Sequence, residues 1–165
     1  MKQQNIEIKA KCNNQDKIRE ILKSHHAVFK GTDHQIDTYF KVSHGRLKLR
    51  QGNIENALVY YERGNTPGPK QSEYILYETI PDSPIKEILT ESLGILTIVD
   101  KIREIYFIDN IKFHLDTIKD LGTFVEIEAK DEKKCQEYLE LFEISKDDLI
   151  ATSYSDLLEY TNVKI

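Results

Sequence analysis

The side chains best suited to chemistry begin in the first predicted strand, residues 5–11. Asn5, Glu7 and Lys9 alternate there with the apolar Ile6 and Ile8. This period of two predicts a β-strand with one polar and one apolar face. The polar face is unusual because a carboxylate and an ammonium group stand side by side, two residues apart.

Four later segments repeat this alternation of charged and apolar residues. They are Arg46, Lys48 and Arg50; Lys101 and Arg103; Lys112, His114 and Asp116; and Glu126 and Glu128. For any one strand, the simpler interpretation is an open sheet whose charged face meets water. Solvated faces, however, usually mix charges with Ser, Thr, Asn and Gln, whereas these faces are sorted by charge and backed by apolar residues. The set therefore favours a closed barrel with a polar interior.

Eight predicted strands must position these residues. Helices are predicted after the first strand, before the sixth and after the eighth. Short connections favour antiparallel order, and eight strands can close into a barrel that holds side chains or one small ligand. The predicted fold class is α+β: an eight-stranded antiparallel barrel, or tunnel, with amphipathic helices outside, including one over residues 85–93. A Gly/Pro cluster at residues 64–69 predicts a loop. The inward parity of residues 58–63 stays open.

Composition limits the class of protein. The length of 165 residues fits one domain, residues 1–165, and the net charge of −5 argues against a general nucleic-acid binder. Cys12 and Cys135 form no C-x-x-C pair, which argues against zinc and suits a reducing cytosol. No apolar leader and no run of about 18 apolar residues is present. We therefore expect a cytoplasmic protein without a membrane partner; its oligomeric state, monomer or homodimer, stays open.

A charged interior of this kind needs counterions, because an unpaired buried charge is costly. Its cations outnumber its carboxylates, so a polyphosphate would neutralise the former and a divalent metal the latter. Mg²⁺ commonly binds one or two carboxylates together with substrate phosphates. These parts suit attack at a phosphorus atom, with cations absorbing the developing charge.

In their order along the chain, these motifs resemble the CYTH superfamily of triphosphate tunnel metalloenzymes, most closely its class IV adenylyl-cyclase-like branch. The hallmark of that family is an E-x-E-x-K strand, matched here by Asn5, Glu7 and Lys9 with the first Glu replaced. An amide oxygen can coordinate a hard cation but brings no charge, so the replacement puts a second metal site in question. The resemblance covers nearly the whole chain.

The resemblance implies a set of site residues. Glu7, Asp116, Glu126 and Glu128 would hold Mg²⁺ or Mn²⁺, Asp116 as a ligand or as a partner of one. The triphosphate would contact Lys9, Lys48, Arg50, Lys101, Arg103, Lys112 and His114. The residues of the reaction itself would be Glu7, Lys9, Glu126 and Glu128. From the residues alone, His114 is either a general acid or base or an ordinary hydrogen-bonded tunnel side chain.

Three functions follow from the resemblance and the residues. The first is metal-dependent hydrolysis of inorganic triphosphate or of a nucleoside or other organic triphosphate. The second is a class IV adenylyl cyclase that converts ATP to cyclic AMP and pyrophosphate. The third is a non-catalytic binding module for organic phosphates, which the replacement at Asn5 keeps open.

Overall fold

A closed barrel of eight strands forms the body of the protein in the computed structural model, which describes residues 2–63 and 67–163. In chain order the elements are β1 (Gln3–Lys11), α1 (Gln15–Ser24), β2 (Val28–Phe40), β3 (Arg46–Gln51), β4 (Asn56–Arg63), β5 (Lys70–Glu78), α2 (Ile85–Leu93), β6 (Ile95–Ile108), β7 (Ile111–Ile118), β8 (Gly122–Ala129), α3 (Glu132–Leu141) and α4 (Tyr154–Val163). Residues 64–66 of the predicted loop lie outside the described residues.

The strand order around the barrel is β1-β5-β4-β3-β2-β6-β7-β8, and every neighbouring pair is antiparallel. Turns alone connect β2 to β3 and β3 to β4, as they do β6 to β7 and β7 to β8, which is the reason for the antiparallel order. Closure leaves no strand edge exposed. The predicted eight-stranded antiparallel tunnel with helices outside is confirmed.

Register sets which side chains share the interior. Lys9 is paired across strands with Glu126, Glu126 with His114, and Arg103 with Asp116. Because side chains alternate between the two faces, pairing these residues directs all of them to one side of the sheet. The parity of β4, which the sequence left open, is now decided, since Val59 and Tyr61 face the cavity inside the barrel.

A hydrophobic core lies outside the barrel, between β1, β7 and β8 and the helices α1 and α3. Ile8, Phe113 and Ile127 are at most 1 % exposed, and they belong to the same cluster as Leu22 of α1 and Cys135 of α3. Burial of each large apolar side chain contributes about 1.5–3 kcal/mol. This core therefore holds the three strands in place from behind and leaves their charged faces directed inward.

Helix α2 differs from the expectation that three amphipathic helices cover the barrel. Its bounds agree with the prediction, but none of its residues is buried and Ile88 is 60 % exposed. The helix connects β5 to β6, and its main packing contact is with β2. The apolar periodicity of residues 85–93 therefore predicted the helix correctly and its burial wrongly.

Both cysteines are buried free thiols, as expected for residues on apolar faces. Within residues 2–63 and 67–163, no helix has the length and the apolar character needed to cross a membrane.

Candidate active site

The inward faces of the strands enclose a cavity of about 450 Å³. Most of the predicted site residues line it: Glu7, Lys9, Lys48, Arg50, Arg103, Lys112, His114, Glu126 and Glu128. Lys101 and Asp116 face the same interior but are buried in its wall, at 2 % and 0 % exposure. The structure therefore brings the predicted residues together, while their roles stay predictions.

Asp37 of β2 organises cations of β3 and β6. Arg50 donates to both of its carboxylate oxygens at 2.9 and 2.8 Å, and Lys101 donates to Oδ2 at 2.8 Å. Lys48 lies 3.7 Å from the same oxygen. Burial opposes ionisation of Asp37, but these three cations hold its pKa well below the ordinary value. Asp37 therefore fixes its basic neighbours.

The three cations around Asp37 are not fully neutralised by it. Burial and the charge of Arg50 lower the pKa of Lys48 to about 7. Burial and the charge of Arg103 lower the pKa of Lys101 to about 8. A carboxylate shared by three cations leaves surplus positive charge, and an incoming anion would stabilise the protonated ammonium groups. The arrangement suits an anion.

Arg103 forms a second centre on the same inner face, where β6 pairs with β7. Its Nε and Nη2 donate to the two oxygens of Asp116, both at 2.7 Å, and Nη2 also reaches Glu126 at 3.1 Å. The hydroxyl of Tyr154 donates to Asp116 at 2.9 Å. Both oxygens of Asp116 are thus occupied by protein donors, which favours the interpretation of Asp116 as a partner that holds Arg103 rather than as a metal ligand.

His114 is the best-defined group of the acidic side of the cavity. It is 1 % exposed, and its Nδ1 lies 3.0 Å from Oε2 of Glu126. Burial and Arg103 lower the pKa of His114, whereas the pKa of Glu126 is held well below normal because Arg103 and Lys9 outweigh its burial. We therefore assign a neutral ring whose Nδ1–H donates to an ionised carboxylate. The lone pair of Nε2 then has no hydrogen-bond partner among the described residues.

His114, Glu126 and Glu128 together fit a divalent metal ion. One potential ligand atom from each lies within 4.8 Å of the others. Carboxylate oxygens with one imidazole suit Mn²⁺ or Mg²⁺ better than a soft ion. The sequence placed His114 among the substrate contacts and did not include it in this cluster.

Strand β1 supplies the neighbouring polar groups. Glu7 is paired in register with Glu128, so two carboxylates stand opposite each other on adjacent strands. Lys9 lies 3.5 Å from Glu126 and 4.0 Å from the centre of the Tyr154 ring. Asn5, in place of the first Glu of the motif, donates to Glu128 at 3.2 Å. An uncharged residue at this position avoids adding a third carboxylate beside Glu7 and Glu128.

The segment before α4 closes one end of the barrel. Lys70 donates to the carbonyls of Ile150 and Ala151 at 2.9 and 2.6 Å. Arg46 pairs with Asp156 at 2.6 Å, so it is engaged in closure at this end rather than free in the cavity. Tyr154 lines the cavity as well as packing against Phe124.

Sequence reasoning missed two acidic residues at the other end. Glu55, in the turn between β3 and β4, pairs with Lys112 at 2.8 Å and with Arg50 at 3.5 Å. Asp33 is completely buried and accepts hydrogen bonds from this turn. Asp33 shares the parity of Gln35 and Asp37 and could have been found from it. Glu55 could not, because a turn residue has no strand parity. With Asp37 and Glu55 included, the carboxylates of the interior equal the predicted site cations in number, so the overall excess of positive charge that the sequence suggested is absent.

The chain is similar to several known proteins. A curated protein of Methanocaldococcus jannaschii, provisionally named an adenylate cyclase, is 28 % identical over 170 residues, covering 92 % of this chain and 97 % of the relative. A structure from Pyrococcus horikoshii matches with a TM-score of 0.73 at 22 % identity, covering 93 % of this chain and 98 % of that one.

A third relative is a provisionally named adenylyl cyclase from Hippeastrum, whose structure is described as revealing a dominant triphosphatase activity. It matches with a TM-score of 0.63 at 15 % identity, covering 100 % of this chain and 97 % of that one. At such identities the structural matches establish the fold. The family is established separately, because the CYTH domain model matches residues 3–154. The chain belongs to the CYTH domain family. The matched residues include all eight barrel strands that build the cavity.

Proposed function

We propose that this protein is a divalent-metal-dependent enzyme that hydrolyses the triphosphate group of inorganic triphosphate or of a nucleoside or other organic triphosphate inside its tunnel. The observation that carries the proposal is the pairing of two centres in one cavity. One is the His114, Glu126 and Glu128 cluster; the other is the cation group that includes Lys48 and Arg50. The first suits a metal and the second suits phosphate oxygens.

The substrate would be held by the basic side chains. Arg103 is fixed by two hydrogen bonds to Asp116, and Arg50 by two to Asp37, so each presents its guanidinium in a set orientation. Such preorganised cations neutralise charge on the transferred phosphoryl group without reorganising during the reaction. Lys9, Lys48 and Lys112 supply point charges to the same cavity. Positioning and charge stabilisation account for most of the catalysis of phosphoryl transfer.

A divalent ion would be held by Glu126, Glu128 and a ring nitrogen of His114, with Glu7 beside them. When bound, it supplies polarisation of phosphoryl oxygens and acidification of a coordinated water. The protein residues orient this side of the cavity: Glu126 holds the His114 ring through Nδ1, and Lys9 and Arg103 hold Glu126. In the hydrolase, the oxygen that attacks the phosphorus atom comes from water.

The alternative is cyclisation of ATP by its ribose 3′-hydroxyl, giving cyclic AMP and pyrophosphate. It is favoured by the relative from M. jannaschii, which is named an adenylate cyclase and is matched by this chain over 97 % of its length. The proposal favours hydrolysis because the Hippeastrum relative, with the same cyclase name, is described as dominated by triphosphatase activity.

The test is a metal-supplemented substrate screen. The protein is incubated with tripolyphosphate and with ATP under Mn²⁺ and under Mg²⁺, and the products are separated by chromatography. Hydrolysis predicts orthophosphate and a shortened phosphate chain, without cyclic AMP. Cyclic AMP as the main product from ATP would replace the hydrolase by the cyclase. Tight triphosphate binding without turnover under any metal would leave a binding module.

A further inference from the structure

The turn between β3 and β4, residues 52–55, is built in an unusual way for a connection of two antiparallel strands. Its backbone N–H groups at Asn53 and Ile54 donate to Oδ1 of Asp33 at 2.7 and 2.9 Å, and that of Glu55 donates to Oδ2 at 2.9 Å. Asp33 is 0 % exposed. A hairpin needs only its own backbone bonds and solvent, so a buried carboxylate that accepts three N–H groups serves to hold this turn in one position.

Close packing at Gly52 supports the same conclusion. A Cβ atom there would lie 2.6 Å from Oδ1 of Asp33 and 2.8 Å from the carbonyl oxygen of Glu55. Gln35, also 0 % exposed, completes the network by donating to Asp33 at 2.8 Å and to Oε1 of Glu55 at 2.9 Å. We call Asp33 and Gln35 the turn clamp. The clamp fixes both the backbone and the side chain of Glu55.

The clamped carboxylate lies at the open end of the tunnel. The far end is closed by the segment at residues 150–156, while Lys30 and Glu78, both exposed, line the cavity near its mouth. Glu55 accepts from Lys112 at 2.8 Å and lies 3.5 Å from Nη1 of Arg50. Burial opposes its ionisation, yet Lys112 and Arg50 hold its pKa well below normal, so it is negative at neutral pH.

We propose that Glu55 is a specificity-determining residue that restricts the tunnel to triphosphates by repelling longer linear polyphosphates at the mouth, and that Asp33 and Gln35 are its positioning residues. The inference rests on the proposed function. A chain that enters a tunnel closed at one end can extend only through the other, where a further phosphate would meet the negative charge of the Glu55 carboxylate. A neutral group beyond the third phosphate, such as a sugar, would meet no such repulsion.

The test is equilibrium binding of tripolyphosphate and of linear tetrapolyphosphate by calorimetry, without metal and therefore without turnover. For the unmodified protein we expect tighter binding of the triphosphate. In Glu55→Gln the ratio of tetraphosphate to triphosphate affinity should rise by about tenfold, since one charge repulsion at short range in a protein is of that order. Glu78→Gln is the matched control, because an exposed carboxylate at the same mouth is screened by water; its ratio should stay within about twofold.

The positioning residues are tested by the same ratio. Gln35→Met keeps the volume and removes the bonds from the Gln35 amide to Glu55 and to Asp33. The carbonyl oxygen of Gln35 has no partner among the described residues, so no further hydrogen bond is lost there. It should raise the ratio in the same direction as Glu55→Gln, and the double variant should show no further rise. Asp33→Asn, checked for folding by circular dichroism, should do likewise. A structural role alone would lower the melting temperature and leave the ratio unchanged.

The outcomes separate the two proposals. If the unmodified protein binds neither phosphate chain and also hydrolyses neither tripolyphosphate nor ATP under Mn²⁺ or Mg²⁺, the proposed function is wrong. If it binds neither without metal but hydrolyses a triphosphate with metal, the proposed function stands and the role of Glu55 is wrong. If it binds triphosphate but the ratio in Glu55→Gln equals that of the unmodified protein, or if Glu78→Gln raises the ratio equally, the proposed function stands and the role of Glu55 is wrong.

Discussion

Two walls of the barrel differ on their outer faces and also on their inner faces. In the covered wall, formed by β7, β8 and β1, Phe113 and Ile127 are buried against α1 and α3 on the outside, and the inner face carries Lys9, His114 and Glu126. In the bare wall, formed by β4 and β5, the outer face of β5 is exposed and the inner face is more apolar than that of the covered wall: Ile75 and Tyr77 are 38 % and 68 % exposed, and Val59, Tyr61 and Leu76 line the cavity.

This difference indicates where precision is needed. Charged groups that bind a metal or orient a phosphate must be held within a fraction of an ångström, so their strands need rigid support from a packed core. An apolar inner face gives the cavity its shape and needs no such support. The covered wall therefore carries the candidate metal cluster, and the bare wall bounds the space beside that cluster.

The largest effect should come from removing core support. Phe113→Ala should lower the free energy of unfolding by about 3–5 kcal/mol, because a fully buried ring leaves a cavity. Tyr77→Ala on the bare wall should change it by no more than about 0.5 kcal/mol. Urea unfolding measures both, and Ile127→Val, at about 0.5–1.5 kcal/mol, gives a milder change on the covered wall. Equal losses on the two walls would contradict the comparison.

The next effect concerns the chemistry of the covered wall. Glu128→Gln should reduce metal-supported turnover by about 100-fold or more, since even indirect partners of a metal site cost 10–100-fold. Its melting temperature should change little, because Glu128 is only half-buried and is not part of the Arg103 network. Glu62→Gln, an exposed glutamate on the bare wall, is the control. Steady-state kinetics across Mn²⁺ concentrations measure both; equal turnover in the two variants would exclude Glu128 as a ligand.

A smaller effect is the coupling of anion binding to protons. With the pKa of Lys48 near 7 and that of Lys101 near 8, the folded protein holds fewer protons than the unfolded chain up to about pH 10.4. Stability of the free protein should therefore rise with pH through that window, as far as these two groups contribute. A bound triphosphate reverses the shift and favours the charged ammonium groups.

Triphosphate binding at pH 8 should accordingly be linked to uptake of protons by the protein, about one more in the unmodified chain than in Lys48→Met. Calorimetry in buffers of different ionisation enthalpy measures the difference, and the protons of the ligand itself cancel in the comparison. Identical uptake in both proteins would show that Lys48 does not meet the anion.

The smallest effect distinguishes two tyrosines. Tyr154→Phe removes a 2.9 Å hydrogen bond to buried Asp116 on the covered side and should cost about 0.5–1.5 kcal/mol of stability. Tyr61→Phe on the bare wall removes a 3.4 Å contact with the hydroxyl of Tyr39 and should cost less. Thermal or urea unfolding of the two variants ranks them; a larger loss for Tyr61→Phe would reverse the expected order.

Much of the barrel could be predicted because the period-two pattern is local. The alternation of Glu7 and Lys9 with Ile6 and Ile8 follows from the geometry of a single strand, and the same holds for Lys112, His114 and Asp116. Helix α2 shows the limit of such patterns: its apolar face exists in the sequence, but whether another surface covers that face depends on where β5 and β6 place the helix. The metal cluster was predicted in part, since Glu126 and Glu128 share a strand whereas His114 joins them through cross-strand pairing.

The sequence by itself determined which residues share a face and that these faces were too strongly sorted by charge to be ordinary solvated surfaces. Alternation along a strand is set by covalent geometry, so it needs no knowledge of the rest of the fold. Only the tertiary structure decided which charges pair. Asp37 holds three cations, Asp116 holds Arg103, and Glu55 reaches Lys112 from a turn, because these partners meet through strand register and barrel closure between residues far apart in the chain.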